Sequence, residues 1–221
     1  MNKKNAFYME VPVRKRLYER LWLKYSKAER KALFSHFFLR RKVELVHPRL
    51  LAILEGLDQQ GVPCAALTVW WTGPYGSIPK MEDLRFEGLA SVGISFAERC
   101  PFKDQSFAAL ESKEGLPMVQ QGVIFTALQD KAKVLKAVLK GHEKRFSKIV
   151  FIEDKLSNLT AVEQLCRKLQ VFFLGIHYTQ ASDRPKPRLD VALERERFRI
   201  LEEEQEWLLD HELRDRLGSQ S

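Results

Sequence analysis

Four short apolar runs alternate with helical patterns along most of this chain, and that alternation limits its fold more than any other feature. The runs are VPCAALTVWW at 62–71, GVIFTA at 122–127, KIVFIED at 148–154 and VFFLGIHYT at 171–179. Helices are predicted around them at 48–59, 81–91, 129–144, 156–169 and 191–217. Continuous Val, Ile and Phe runs between helices are typical of parallel strands covered on both faces. We therefore predict an α/β fold with a three-layer, Rossmann-like parallel sheet.

The N-terminal segment carries the excess charge of the chain. Residues 1–45 contain thirteen Lys and Arg and four Glu, and the whole chain has a formal net charge of +8. Apolar residues at three- and four-residue steps predict one or two amphipathic helices over 13–42. The basic face is either simply solvated or a contact for nucleic acid or an acidic membrane. In the second interpretation the contacting cations are Arg14, Lys15, Arg16, Arg40 and Arg41.

Other classes of protein find little support in the sequence. No apolar run approaches the roughly 20 residues of a membrane-spanning helix, and the first residues lack the pattern of a signal peptide. Three dispersed cysteines predict a reducing compartment, and the five histidines lack zinc-ligand spacing. We expect a cytoplasmic protein with no membrane span, for which nucleic acid is an improbable partner. A secreted precursor would fit only if the natural N-terminus lies upstream.

Polar residues of three kinds follow the predicted strands. Thr68 comes near the end of the first strand, Lys131 follows the second, and Glu153 and Asp154 end the third. Ligands of open parallel sheets bind at the carboxyl ends of the strands. A hydroxyl and an ammonium group suit phosphate oxygens, and a carboxylate suits Mg²⁺. The alternative for the acidic pair is a structural one, in which it caps the next helix.

These residues, in this order, resemble the motifs of the haloacid dehalogenase-like (HAD) superfamily of phosphohydrolases over roughly 45–180. The chain is most similar to an uncharacterised bacterial branch, a domain-of-unknown-function family, through its segments LT, GVIFT and FIEDK. The resemblance implies that Thr68 and Lys131 bind phosphate and that Asp154 is a magnesium ligand with Glu153 beside it. It also implies that Asn158 orients the acidic pair, and that a phosphorylated small molecule is the ligand.

The chain departs from the superfamily at its most important motif. HAD enzymes carry their nucleophile in a D-x-D pattern on the central strand, and no D-x-D occurs here. We therefore expect weak or lost Mg²⁺ binding and a protein that is inactive alone, unless a separate chain supplies the strand. We expect a rearranged sheet unless SFAALES, at 106–112, or AFYMEVPV, at 6–13, fills the gap.

The sequence also suggests a division into domains. Residues 1–45 are interpreted as a basic helical remnant of a cap-like insertion, and 46–221 as a HAD-like core with an acidic C-terminal helix. A second hypothesis is a binding module without enzymatic activity, which would use the basic N-terminal helices on nucleic acid or an acidic surface.

Overall fold

The computed structural model describes residues 12–143, 145–180 and 189–218. Eight helices form there: α1 (Pro12–Lys24), α2 (Lys27–Arg40), α3 (Leu50–Gln59), α4 (Met81–Ala90), α5 (Lys131–Lys140), α6 (Leu156–Leu169), α7 (Val191–Glu204) and α8 (Asp210–Gly218). Six strands accompany them: β1 (Ala66–Thr68), β2 (Gln105–Ser106), β3 (Met118–Gln120), β4 (Val123–Phe125), β5 (Lys148–Glu153) and β6 (Phe172–His177). None of these helices is both long and apolar enough to cross a bilayer.

The described residues form two compact units. An α/β unit contains 43–73, 80–143 and 145–180, and a helical unit contains 12–42, 74–79 and 189–218. The acidic C-terminal helices therefore group with the basic N-terminal helices, whereas the sequence had suggested placing them with the core. Most of the proposed gap-filling segment at 6–13 lies outside the described residues.

The α/β unit contains two sheets. In the first, of order β1-β4-β3-β2, only β1 and β4 are parallel. The second is the parallel pair β5-β6. All four predicted strands are present and the α/β class is confirmed, but the expected single parallel sheet is not observed. Two sheets form because β1 and β5 do not pair with each other. The first sheet is mixed because β3 is antiparallel to both β4 and β2.

The segment SFAALES does not fill the gap between these sheets. Ser106 belongs to β2, at the far edge of the four-stranded sheet, and a 3₁₀ helix follows at Ala108–Leu110. A two-residue turn, Gln121 and Gly122, joins β3 to β4, and both residues have positive φ, 47° and 75°. Such turns match the twist of antiparallel strands. The hairpin therefore places antiparallel β3 on the edge of β4 that is not occupied by β1.

One hydrophobic core serves both sheets. Buried side chains of α5 and α6, including Val134, Val138, Val162 and Cys166, pack against buried Ile124 of β4. Partly buried residues from β1, β5 and β6 join the same cluster: Leu67, Ile149, Phe151 and Phe173. Because these strands share one packed layer of helices, the polar residues that follow them are held by a common scaffold.

A buried ionic network holds the helical unit together. The guanidinium of Arg14 in α1 donates two hydrogen bonds to Glu194 in α7, at 2.5 and 2.8 Å. Arg197 contacts both Glu194 and Asp210, and it donates to the carbonyl of Leu208. The two guanidinium carbons also lie 5.7 and 5.6 Å from the ring centre of Trp207. Two cations and two anions therefore balance inside the unit, where an unpaired charge would be costly.

Ion pairs between the basic and acidic helices continue on the surface. Glu202 of α7 binds Lys24 at 2.6 Å and also binds Arg20. Glu212 of α8 pairs with Arg40. Because Arg14 is buried and Arg40 is paired, fewer basic side chains are available for the predicted nucleic-acid contact than the sequence suggested. Lys15 and Arg16 remain exposed on α1.

Replacing Arg14 by Met should destabilise the helical unit strongly, because Glu194 would be left as a buried, poorly compensated charge. The expected loss in the free energy of unfolding is about 3–5 kcal/mol. The matched control is Arg16→Met on the exposed face of α1, expected within about 0.5 kcal/mol of the parent. Chemical denaturation followed by Trp fluorescence measures both. The interpretation fails if the two variants unfold alike.

Candidate functional site

The carboxyl ends of β1 and β4 lie side by side. Thr68 pairs in register with Phe125, and the amide of Thr126 donates to the carbonyl of Thr68 at 3.1 Å. This backbone bond continues the parallel ladder one residue beyond the strands. Thr68, partly buried, is therefore fixed beside the segment that leads from β4 into α5.

The connection from β4 to α5 is a strained turn. The amide of Gln129 donates to the carbonyl of Thr126 at 3.0 Å, and the two residues between them have positive φ, 48° at Ala127 and 62° at Leu128. Positive φ at both central residues is the pattern of a type I′ turn, which normally uses Gly or Asn. Left-handed conformations in other residues cost of order 1 kcal/mol or more each. Strain of this kind is concentrated at functional sites, which makes this turn a candidate.

Lys131 is the first residue of α5 and points back to the end of β5. Its ammonium nitrogen lies 2.5 Å from Oε2 of Glu153, and both side chains are largely buried, at 11% and 5% exposure. The ammonium also lies 5.7 Å from the ring centre of Phe151. The helix begins here because Asp130 caps it, accepting a hydrogen bond from the amide of Lys133 at 2.8 Å. The cap therefore sets where the Lys131 side chain leaves the helix.

The second oxygen of Glu153 is also engaged. Oε1 accepts hydrogen bonds from the side-chain amide of Asn158 at 2.9 Å and from the backbone amide of Lys155 at 3.3 Å. Asn158 lies in the first turn of α6 and Lys155 directly precedes that helix, so the start of α6 holds the carboxylate of Glu153. Burial acts to raise the pKa of Glu153, but hydrogen bonds with Asp154, Lys131 and Asn158 outweigh it and bring the pKa below its ordinary value.

Asp154 differs from its neighbour in being exposed. The hydrogen bond with Glu153, together with partial burial, raises the pKa of Asp154 above its ordinary value. The carboxyls of Glu153 and Asp154 therefore interact as a pair, in which Glu153 retains its charge more readily. Asp154 is the member of the pair that faces solvent.

His177 and Tyr178 also lie at this edge, and the sequence patterns did not single them out. His177 is in register with Glu153, and its Nε2 lies 3.1 Å from the backbone carbonyl of Asp154. The amide of Tyr178 donates to the carbonyl of Glu153 at 2.9 Å. The parallel pairing of β5 with β6 is the signal that places them there. A search limited to histidine spacing along the sequence could not detect it.

The structure therefore brings together most of the predicted residues. Lys131, Glu153 and Asn158 form one hydrogen-bonded cluster, and Asp154 adjoins it. The carbonyl of Thr68 accepts from the amide of Thr126, which lies on the segment that leads to Lys131, and no described contact joins Thr68 to the cluster itself. The ends of β1 and β4 thus lie side by side, and Lys131 joins the start of α5 to the end of β5. The described contacts do not bring the Thr68 hydroxyl to the ammonium of Lys131.

The residues present do not fit a magnesium site. No group of three or more His, Cys, Asp and Glu side chains suited to a metal ion occurs in the described part of the chain. Both carboxylate oxygens of Glu153 are bound by Lys131, Asn158 and Lys155, which leaves Asp154 as a single exposed carboxylate. A protein site for Mg²⁺ usually combines such a group with further oxygen ligands.

The fold and the strand-end cluster define an α/β protein with a buried lysine–glutamate pair at the carboxyl ends of its parallel strands. The chain belongs to the family described as "Protein of unknown function (DUF2608)", whose family model matches residues 24–214. The prediction of an uncharacterised-domain family is thus confirmed, while the wider link to the HAD superfamily stays a prediction. No curated protein and no solved structure matches the chain.

Replacing Asp154 by Asn should raise the midpoint of thermal unfolding at pH 7. The raised pKa means that ionised Asp154 is unfavourable beside Glu153, and Asn removes that repulsion. The gain should shrink as the pH falls through the carboxyl range and vanish below about 3.9, where an unperturbed Asp is itself protonated. Thermal denaturation from pH 3 to 8 tests this, and a gain that is independent of pH would contradict it.

The turn before α5 can be tested through Leu128, a residue that is 38% exposed. Leu128→Gly should relieve the left-handed strain and stabilise the protein by up to about 1 kcal/mol. Leu128→Val should instead cost about 1 kcal/mol or more, because a β-branched residue tolerates positive φ poorly. Urea unfolding ranks the three proteins, and equal stability of the Gly and Val variants would rule out strain at this position.

Proposed function

We propose that this chain is a HAD-like, phosphohydrolase-derived protein that binds phosphate groups at its strand ends but lacks the nucleophile needed to hydrolyse them. The two parallel pairs, β1-β4 and β5-β6, are the parts of a Rossmann-like sheet that the chain supplies. The observation that carries the proposal is the buried ion pair between Lys131 and Glu153. Its ligand class is a small molecule with a phosphate group.

The position of Lys131 is unfavourable for stability alone. A cation in the first turn of a helix opposes the helix dipole, and its burial adds a desolvation cost. The same position suits an anion, because the backbone amides at a helix N-terminus and an ammonium group can bind it together. Glu153 offsets the charge of Lys131 while no anion is bound. A purely structural role would be served more simply by apolar residues at both positions.

Each residue of the cluster has a definite task in this proposal. Among the described residues the ammonium of Lys131 uses one of its three donors, on Glu153, so two remain for phosphate oxygens. Asn158 holds Glu153, and Glu153 in turn fixes the direction of Lys131. Thr68 contributes its hydroxyl to the phosphate. Asp154 lies at the solvent side, where its charge limits how closely a free anion approaches.

The chain cannot form the covalent phosphoryl intermediate of the superfamily by itself. That step needs an aspartate placed for attack on phosphorus, and the sequence has no D-x-D pair. We therefore propose that the chain binds phosphate esters without turnover, or acts only with a separate polypeptide that carries the missing strand. The proposed binding of phosphate esters involves no magnesium ion, because the residues present do not fit a magnesium site.

Inorganic phosphate provides the direct test. Titration followed by isothermal calorimetry should give weak binding to the parent protein, in the range of about 1 mM, or roughly 4 kcal/mol of binding free energy. Lys131→Met should weaken it by about tenfold or more, since a charge-assisted hydrogen bond contributes about 1.5–3 kcal/mol. The matched control is Lys133→Met, which removes an exposed lysine from the same helix and should leave binding unchanged.

Turnover of p-nitrophenyl phosphate is the second measurement. The isolated chain should show none above the buffer rate, with or without added magnesium. Hydrolysis that survives purification and disappears in Lys131→Met would mean that a nucleophile is present after all. Phosphate binding that is equal in Lys131→Met and Lys133→Met would refute the phosphate site.

A further inference from the structure

Three exposed apolar residues follow the ends of β1, β4 and β5. They are Val69, Leu128 and Leu156, and they are 43%, 38% and 62% exposed. All three belong to the α/β unit, and Val69 directly follows Thr68. Single apolar residues are common on protein surfaces, so their number needs no explanation. Their positions do, because each lies next to a residue that is proposed to bind phosphate or to hold the phosphate-binding lysine.

Leu128 is disfavoured twice by the stability of the fold. Its φ of 62° is left-handed, which is unfavourable for a side chain with a Cβ. The residue is also partly exposed, so burial of the side chain does not fully offset the strain. Asn would tolerate the same φ and would suit a solvated position better. A leucine here is therefore better explained by a contact that the side chain makes with a ligand.

Leu156 is also unexplained by packing. It is the first residue of α6, a position that favours Pro or an acidic residue. The residues that α6 buries are Leu159, Val162, Leu165 and Cys166, and Leu156 is not among them. The helix therefore gains little from an apolar side chain at its first position.

The two leucines flank the ion pair between Lys131 and Glu153. Leu128 precedes Lys131 by three residues, and Leu156 follows Glu153 by three. Three residues of extended chain span at most roughly 11 Å, and the ion pair joins the two segments. An organic group on a phosphate bound by Lys131 would therefore lie within reach of both leucines.

We propose that the ligand is a phosphate monoester whose organic part is an uncharged alkyl or aryl group. Its phosphate binds the ammonium of Lys131, and its organic group packs on Leu128, Leu156 and Val69. This inference rests on the proposed function, because it requires phosphate to bind at Lys131. It adds the chemical class of the organic part, which the phosphate-binding residues alone do not define.

Two other classes of phosphate ester fit these residues less well. A sugar phosphate would place hydroxyl groups against three apolar side chains, where they would lose hydrogen bonds to water without replacement. A nucleoside diphosphate or a bisphosphate would bring a second anion to the same edge. The exposed carboxylate of Asp154 would repel that anion.

A homologous series of ligands tests the inference on the full chain. Binding of methyl, ethyl, propyl and butyl phosphate is measured by isothermal calorimetry, with inorganic phosphate, phenyl phosphate and glucose 1-phosphate for comparison. Affinity should rise about two- to fourfold with each methylene, as expected for partial to full burial of a CH₂ group. Phenyl phosphate should bind at least as tightly as butyl phosphate, and glucose 1-phosphate no more tightly than methyl phosphate.

Variants separate the apolar contact from the phosphate contact. Leu128→Asn and Leu156→Gln should each reduce the gain per methylene, and together they should remove most of it, while the affinity for inorganic phosphate stays unchanged. Lys131→Met should weaken the whole series by about tenfold and leave the gain per methylene in place. The matched control is Val62→Gln, which replaces an exposed apolar residue before β1 and should change neither. Circular dichroism checks that each variant is folded.

The outcomes distinguish this inference from the proposed function. Equal affinity along the alkyl series, with binding that still depends on Lys131, overturns the inference and leaves the phosphate site in place. A gain per methylene that persists in the Leu128→Asn, Leu156→Gln double variant also overturns it, because the alkyl group then binds elsewhere. Absence of binding by every phosphate, or binding that is independent of Lys131, refutes the proposed function and this inference with it.

Discussion

The buried ion pair between Lys131 and Glu153 is the constraint that ties the candidate site to the fold of the α/β unit. It links the start of α5, which follows β4, to the end of β5, and β4 and β5 belong to different sheets. Removing either partner would leave a buried charge, so the pair constrains both positions at once. Asn158 extends this constraint into α6, and the shared core beneath both sheets keeps the geometry fixed.

Much of the fold could be predicted because the signals are local. The apolar runs before Thr68, Lys131 and Glu153 each become a strand, and the helices between them begin within a few residues of the predicted positions. The same locality explains what was missed. Strand β3, Met118–Gln120, lies in no continuous apolar run, and its signal is the Gln121-Gly122 turn.

The candidate site was only partly visible in the sequence, because pairing across strands decides which residues meet. The positions of Lys131 and Glu153 followed from the order of elements, whereas the neighbourhood of His177 and Asp154 depends on the register of β5 with β6. The burial of Arg14 was also hidden, since its partner Glu194 lies 180 residues away. Charge counted along the chain therefore overstated the basic surface.

The hairpin of β3 and β4 has a consequence for the order in which the chain assembles. Its two-residue turn is among the shortest loops a chain can close, and hairpins of this kind form within about 1–10 μs. Pairing of β4 with β1 must instead close a loop from Thr68 to Val123, at a greater entropic cost. We infer that the antiparallel hairpin forms first and that the parallel pair is added to it. Gly122 suits that first step because its φ of 75° is readily adopted only by glycine. The completed unit requires it as well, because any Cβ there would lie 2.1 Å from the carbonyl oxygen of Phe96.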